Sequence, residues 1–145
     1  MPEVLSRSQI KLPGTARTKH DAIRETGAIL VEVGAVEPAY IDSMFDRERS
    51  VSTYMGNYLA IPHGTTESKE TIKRSALSVV RYPEPIDWDG NEVLFALGIA
   101  GYQGGHMDIL SRIALVFSDT DEVDKLVAAR SAEEIYDLLN AVNEE

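Results

Sequence analysis

The chain has 145 residues, of which 43% are apolar and 26% are charged, as expected for one folded domain with a core of its own. It carries 24 acidic and 14 basic residues, and a net charge of −10 argues against a general nucleic-acid binder and favours a partner with a basic face. Cysteine is absent, which excludes disulfides, thiolate catalysis and cysteine-ligated metal sites in this sequence.

The first half of the chain is predicted to contain one edge strand, two helices and one extended segment. In chain order they fall within residues 5–14, 18–34, 38–50 and 53–64. The strand is expected to close at the turn of Pro13 and Gly14. Gly34 is a plausible stop for the first helix, and Pro38 suits the first turn of the second. The extended segment is expected to end at His63.

The second half is predicted to contain two strands followed by three helices. The strands and the first helix fall within residues 75–83, 93–102 and 104–119. Before them, the polar residues 65–75 are interpreted as a short helix or turn, and Pro83 and Pro85 are expected to end the first strand. The second strand is almost continuously apolar, as in a central strand buried on both faces. The last helix is expected to begin with a capping box of Ser131 and Glu134.

This alternation of helices and strands predicts the fold class. Some of the strands are joined through hairpin-like turns, such as the Asp-Gly turn between the two long strands. We therefore expect a single α/β domain over residues 1–145, with a mixed parallel/antiparallel sheet of about five strands flanked by helices.

A histidine between proline and glycine, at the predicted end of the extended segment, is the main candidate for chemistry. Pro62 holds the residue before it extended, so that His63 leaves the strand in a defined direction. Gly64 lets a ligand approach the backbone, and a helix opening after it would point N–H groups at an anion. Because neutral imidazole is a good nucleophile near pH 7, this pattern is suited to phosphoryl transfer with no metal and no cofactor.

Two further residues can support that chemistry. Arg47 ends the second helix and can clamp phosphoryl oxygens, while His106 begins a later helix and can act as a second donor. On spacing alone, simpler interpretations stay open: a turn residue for His63, a solvated helix end for Arg47 and an ordinary helical residue for His106. A metal or hydrolytic site of His63, His106 and Asp108 is disfavoured, because residues two apart on a helix diverge.

Several blocks of the sequence resemble the enzyme IIA components of the sugar phosphotransferase system, in the mannitol/fructose superfamily. The blocks are MGNYLAIPHGTTESK, SVVRYPEPIDW, VLFALGIAGYQGGHMDILSRIALVF and SAEEIYDLL, in the family's order. The block GIAGYQGGHMDILS resembles mannitol-type members more than their nitrogen-regulatory paralogues. The resemblance implies a single IIA domain of the mannitol/fructose type over residues 1–145.

The resemblance also implies roles for individual residues. His63 would accept a phosphoryl group from the phosphocarrier HPr and give it to a cysteine of a IIB domain. Arg47 would stabilise the phosphate charge, and His106 would support the site. Contacts to the transferred group are expected from three other residues, Asn57, Gly64 and Thr65. Asn57 departs from the pattern, because many mannitol-type members have glutamate there.

The expected partners follow from the same resemblance. They are HPr and the IIB domain of a mannitol-type IIBC transporter, and no nucleic acid; an acidic surface suits a basic face of HPr. No apolar run is long enough for a bilayer span, and the N-terminal residues lack the apolar core of a signal peptide, so we expect a cytoplasmic location. The alternative is a regulatory phosphoprotein of the nitrogen type, whose phosphorylation state controls a bound partner.

Overall fold

The computed structural model describes residues 4–65, 70–102 and 105–143, without the side chains of His106, Ala141 and Asn143. This part of the chain forms a five-stranded sheet with helices on both faces, which confirms the predicted α/β class. The strands are β1 (Ile10–Lys11), β2 (Tyr54–Gly56), β3 (Leu59–Ala60), β4 (Ala76–Trp88) and β5 (Asn91–Ala100). The helices are α1 (Lys19–Glu32), α2 (Ala39–Ser50), α3 (His106–Phe117), α4 (Thr120–Ala128) and α5 (Ala132–Leu139). Within the described ranges, no helix is long and apolar enough to cross a membrane.

The sheet is mixed, and its strand order is β1-β4-β5-β3-β2. β1 pairs with β4 and β3 with β5 in parallel, whereas β4 pairs with β5 and β2 with β3 in antiparallel fashion. Asp89 and Gly90, both at positive φ, make the predicted Asp-Gly turn between β4 and β5. The predicted edge strand is β1, which lies at one edge of the sheet. β3, the other two-residue strand, lies next to the opposite edge.

The prediction that Pro83 and Pro85 end a strand is wrong, because β4 continues through both prolines to Trp88. The pairing of β4 with β5 shifts register between Arg81 and Ile86. The two prolines fall inside this irregularity, where the missing N–H of proline does not remove a bond from a regular ladder.

The predicted single extended segment over residues 53–64 contains a hairpin. β2 and β3 are joined by Asn57 and Tyr58, whose φ angles of 49° and 69° allow a tight two-residue turn. After this turn the chain runs parallel to β5 and pairs again at His63. The turn has no glycine at either central position, so its sequence lacks the usual hairpin signal.

The two faces of β5 differ in side-chain size. Phe95, Leu97 and Ile99 point into a core covered by α3, α4 and α5. The other face is lined by alanines and Gly98, where an added Cβ would lie 2.5 Å from Ser78 Oγ. Small side chains let α1 approach the sheet closely on this face.

A half-buried carboxylate connects the segment after β1 to α1. Glu25 accepts hydrogen bonds from Thr15 N (3.0 Å), Thr15 Oγ1 (2.8 Å) and Ala16 N (3.2 Å) and pairs with Lys11 Nζ at 2.7 Å. Burial alone raises the pKa of the Glu25 carboxyl, but the hydrogen bonds from Lys11 and Thr15 outweigh it and lower the pKa from 4.5 to about 2. The folded state therefore favours the ionised carboxylate.

We expect this carboxylate to make stability depend on pH. Its contribution is fully present above pH 4.5, the pKa of the unfolded chain, and is lost as pH falls towards 2. The Glu25→Gln variant should lose about 2 kcal/mol of unfolding free energy at pH 7. Urea denaturation at a series of pH values from 7 to 3 checks this. The difference in unfolding free energy between wild type and variant should decrease on acidification, and a constant difference would contradict the role given to the Glu25 carboxylate.

Candidate functional site

His63 lies where the chain that continues β3 leaves the sheet. It forms a parallel bridge with Ile99, and Ile99 N donates to Pro62 O at 3.0 Å. The imidazole is half-buried, whereas Ile61 and Pro62 before it are buried. The structure therefore places His63 at a strand end, as predicted from the Pro-His-Gly pattern, and it also places the residue next to the core.

The orientation of the imidazole is set by a backbone carbonyl. His63 Nδ1 lies 2.7 Å from Ile61 O. Since a carbonyl can only accept, the neutral ring must carry its proton on Nδ1 and its in-plane lone pair on Nε2. Nε2 is consequently the nitrogen that can act as the nucleophile, a choice that the sequence alone leaves open.

A tyrosine hydroxyl from α2 connects the backbones on either side of His63. Tyr40 is buried, and its hydroxyl donates to Ile99 O (2.7 Å) and accepts from Gly64 N (2.8 Å). Burial raises the pKa of Tyr40 to about 12, which the hydrogen bond from Gly64 lowers only in part. The sequence does not point to this role, because Tyr40 fits the apolar stripe of α2. The available signal is its hydroxyl, which needs a hydrogen-bond partner when buried.

The two arginines at the end of α2 have different surroundings. Arg47 Nη1 donates to Val51 O at 2.8 Å, in the loop that leads to β2. Arg49 pairs with Asp46 on the exposed side of the helix, where 70% of its side chain is accessible to solvent. Arg47 therefore contacts the loop that contains Thr53, and the carbonyl of Thr53 accepts a hydrogen bond from Ile61 N.

The structure does not bring Asn57 close to His63. Asn57 Nδ2 donates to Phe117 O at 2.6 Å, so it joins the β2–β3 turn to the end of α3. Leu59 pairs with Phe95 and His63 with Ile99, and four extended residues span about 13 Å. Asn57 therefore lies at the opposite end of the β3 segment, and its predicted contact with the transferred group gains no support from this position.

The remaining candidate residues are only partly described. Gly64 N is engaged by Tyr40, and Thr65 follows directly. Of the short helix or turn predicted over residues 65–75, residues 66–69 lie outside the described residues, and Ile72 forms a bridge with Val36. His106 begins α3, but its side chain also lies outside them. Among the described residues, no three His, Asp or Glu side chains are grouped as metal ligands would be.

Comparison with known proteins gives the family. The sequence profile of the phosphoenolpyruvate-dependent sugar phosphotransferase system, EIIA 2, matches residues 3–142. The chain belongs to this family. A mannitol-specific phosphotransferase enzyme IIA component from Halalkalibacterium halodurans is 50% identical over 141 residues, which are 97% of this chain and 97% of the relative. A protein of the same name from Staphylococcus aureus is 49% identical over 135 residues, 93% and 94% of the two chains.

Solved structures of IIA proteins have the same fold. In the complex of the mannitol enzyme IIA with phosphorylated enzyme IIB from Escherichia coli, the similar chain superposes with a TM-score of 0.89 at 31% identity, covering 94% of this chain and 97% of that one. The nitrogen regulatory IIA protein of Neisseria meningitidis gives 0.77 at 27% identity, covering 94% and 96%. The predicted mannitol-type IIA resemblance is confirmed.

We expect Tyr40→Phe to destabilise this IIA fold by about 1–3 kcal/mol, because it leaves Gly64 N and Ile99 O without their common partner. Urea denaturation at pH 7 measures the loss. Tyr58→Phe is the control, since 42% of Tyr58 is exposed. Equal stability of the two variants would contradict the bridging role of the Tyr40 hydroxyl.

The hydrogen bond to Ile61 also predicts the tautomer of His63. In ¹⁵N-detected imidazole spectra at a pH where the ring is neutral, Nδ1 should be the protonated nitrogen and Nε2 the unprotonated one. The exposed His20 provides an internal reference for a ring at the surface. A His63 spectrum with the proton mainly on Nε2 would overturn the assignment of the nucleophilic nitrogen.

Proposed function

We propose that this protein is the phosphohistidine carrier of a mannitol phosphotransferase system. It accepts a phosphoryl group from phospho-HPr on Nε2 of His63 and passes the group to a cysteine of a IIB domain. The observation that carries the proposal is the His63 imidazole itself, which is held at the strand end by its Nδ1 contact to Ile61 O (2.7 Å) with Nε2 as the nucleophilic nitrogen.

The transfer step needs only this ring and a means of balancing phosphate charge. The lone pair on Nε2 attacks phosphorus, the new Nε2–P bond forms, and the bond between phosphorus and the donor breaks with its electron pair left on the donor. The positive charge that develops on the ring is stabilised by the hydrogen bond from Nδ1–H to the Ile61 carbonyl. When a cysteine thiolate attacks, the electrons of the Nε2–P bond return to the ring, which is again neutral.

Arg47 is proposed to stabilise charge on the phosphoryl oxygens, with His106 as a supporting residue and Gly64 and Thr65 beside the transferred group. Arg47 is attached to the Val51 carbonyl, and a guanidinium at this point can exchange a carbonyl partner for phosphate oxygens. Such charge stabilisation is the main contribution that a protein makes to phosphoryl transfer without a metal.

The proposed sugar and partners rest on the relatives. The proteins at 50% and 49% identity are mannitol-specific components, and the E. coli IIA structure is a complex with phosphorylated IIB. These similarities favour a carrier over a regulatory phosphoprotein. A net charge of −10 suits encounter with a basic face of HPr, and both partners would be met in the cytoplasm.

Intact-mass measurement after incubation with phosphoenolpyruvate, enzyme I and HPr tests the carrier chemistry. Wild type should gain one acid-labile phosphoryl group, and His63→Ala should gain none. His20→Ala is the matched control and should behave as wild type, because His20 is exposed and its ring stacks on Phe45. Absence of the gain in wild type with active donors, or its persistence in His63→Ala, would refute the proposal.

A further inference from the structure

A buried carboxylate lies one residue after Arg47 and has no part in the transfer step described above. Glu48 is 6% exposed, and its oxygens accept from Thr53 N (2.8 Å), Thr53 Oγ1 (2.5 Å) and Trp88 Nε1 (3.1 Å). Lys19 Nζ is 3.4 Å from the same carboxylate. A buried charge surrounded by donors on separate elements fixes those elements relative to one another.

The contacts of Thr53 continue to the imidazole of His63. Thr53 O accepts from Ile61 N at 3.0 Å, and Ile61 O accepts from His63 Nδ1 at 2.7 Å. Glu48 holds Thr53 by both its backbone N–H and its side-chain hydroxyl, so the residue cannot rotate without breaking a charge-assisted bond. The carboxylate is therefore connected to the His63 ring through three successive hydrogen bonds, which join Glu48 to Thr53, Thr53 to Ile61 and Ile61 to the imidazole.

The same carboxylate also fixes the surroundings of Arg47. Val51 N bonds to Arg47 O at 3.4 Å, and Arg47 Nη1 bonds to Val51 O at 2.8 Å. The loop from Val51 to Thr53 is thus held at one end by Arg47 and at the other by Glu48. A shift of Thr53 would displace both Val51, whose carbonyl contacts the guanidinium, and Ile61, whose carbonyl contacts His63.

We propose that Glu48 is a positioning residue for phosphoryl transfer, which orients the His63 ring through Thr53 and Ile61 and holds the loop whose Val51 carbonyl contacts Arg47. The inference deepens the proposed function and depends on His63 being the phosphoryl acceptor. Glutamate suits the position because a carboxylate only accepts, and the polar groups that reach it from Thr53, Trp88 and Lys19 are donors. A glutamine would turn an NH₂ group towards one of them.

Variants at Thr53 separate positioning from general stability. Thr53→Val removes the hydroxyl that contacts Glu48 but keeps the backbone N–H and carbonyl, whereas Thr53→Ser keeps the hydroxyl. Trp88→Phe and Lys19→Met each remove a different donor from the same carboxylate and leave both Thr53 contacts intact. All four, with Glu48→Gln, are compared by urea denaturation and by the rapid-quench rate of phosphoryl acceptance from phospho-HPr, at a temperature where each is folded.

We expect Thr53→Val and Glu48→Gln to slow acceptance about tenfold or more, because small displacements of a reacting group reduce rates strongly. Thr53→Ser should retain the wild-type rate, and the two donor variants should stay within about twofold of it even where they lower stability. Rates that fall in proportion to stability in every variant would overturn the proposal, and so would unchanged rates in both Thr53→Val and Glu48→Gln.

The His63 tautomer gives a readout that does not require activity. In ¹⁵N imidazole spectra, Thr53→Val and Glu48→Gln should increase the fraction of rings protonated on Nε2, and Trp88→Phe and Lys19→Met should not. An unchanged tautomer ratio in the first pair would refute the positioning role. If wild type accepts no phosphoryl group, the carrier function fails, while the spectra still decide whether Glu48 orients the ring.

Discussion

The parallel pairing of residues 59–63 with β5 is the interaction on which the rest of the site depends. β5 is the central strand of the sheet, and its alternating side chains belong to both cores, so its backbone is fixed from two sides. Residues 59–63 are held in place by pairing with β5, as far as the bridge between His63 and Ile99. The chain leaves the sheet directly afterwards, which places a rigidly held imidazole at the border between core and solvent.

The acceptor of the His63 Nδ1–H bond is a neutral carbonyl. A carbonyl fixes the tautomer and the ring direction, as an aspartate does in many hydrolases, but it adds no full negative charge beside the ring. A carrier must form a phosphohistidine and then give the group away, so strong stabilisation of the charged, phosphorylated ring would hinder the second step. A backbone carbonyl that the core already holds in place can orient the ring without stabilising the phosphorylated form so strongly that transfer to the next acceptor is slowed.

The sequence predicts the main elements well because their signals are local. The helical periodicities and the continuous apolar run of β5 each predict their element from neighbouring residues alone. The family resemblance is what proposes His63 and Arg47 as the reacting and supporting residues. The sequence-based prediction of a strand boundary is wrong where that boundary depends on pairing with another strand. The passage of β4 through Pro83 and Pro85 requires a register shift against β5, and a register is not visible in one strand alone.

The contacts of Glu48 and Tyr40 could not be predicted from the sequence for the same reason. Glu48 lies in the charged run Asp-Arg-Glu-Arg, which is typical of a solvated helix end, yet it is buried and accepts hydrogen bonds from Thr53 and Trp88. Tyr40 fits an apolar stripe, and its partners Gly64 and Ile99 are distant along the chain. Hydrogen bonds between residues far apart in sequence leave no periodic pattern from which they can be predicted.

The same kind of contact, between a glutamate carboxylate and a threonine, stabilises both sides of the sheet. β1 and β3 have two residues each and β2 has three, too few ladder bonds to hold the flanking chain by themselves. On the β1 side a carboxylate from α1, Glu25, takes the N–H and hydroxyl of Thr15; on the β2–β3 side a carboxylate from α2, Glu48, takes the N–H and hydroxyl of Thr53. The Thr15 pair has no hydrogen-bonded connection described to His63, whereas the Thr53 pair reaches its imidazole through Ile61. The fold thus uses the same carboxylate–threonine contact twice. Among the described residues, the Glu48–Thr53 contact is the one of the two that is connected by hydrogen bonds to the His63 ring, which we propose to be the reacting group.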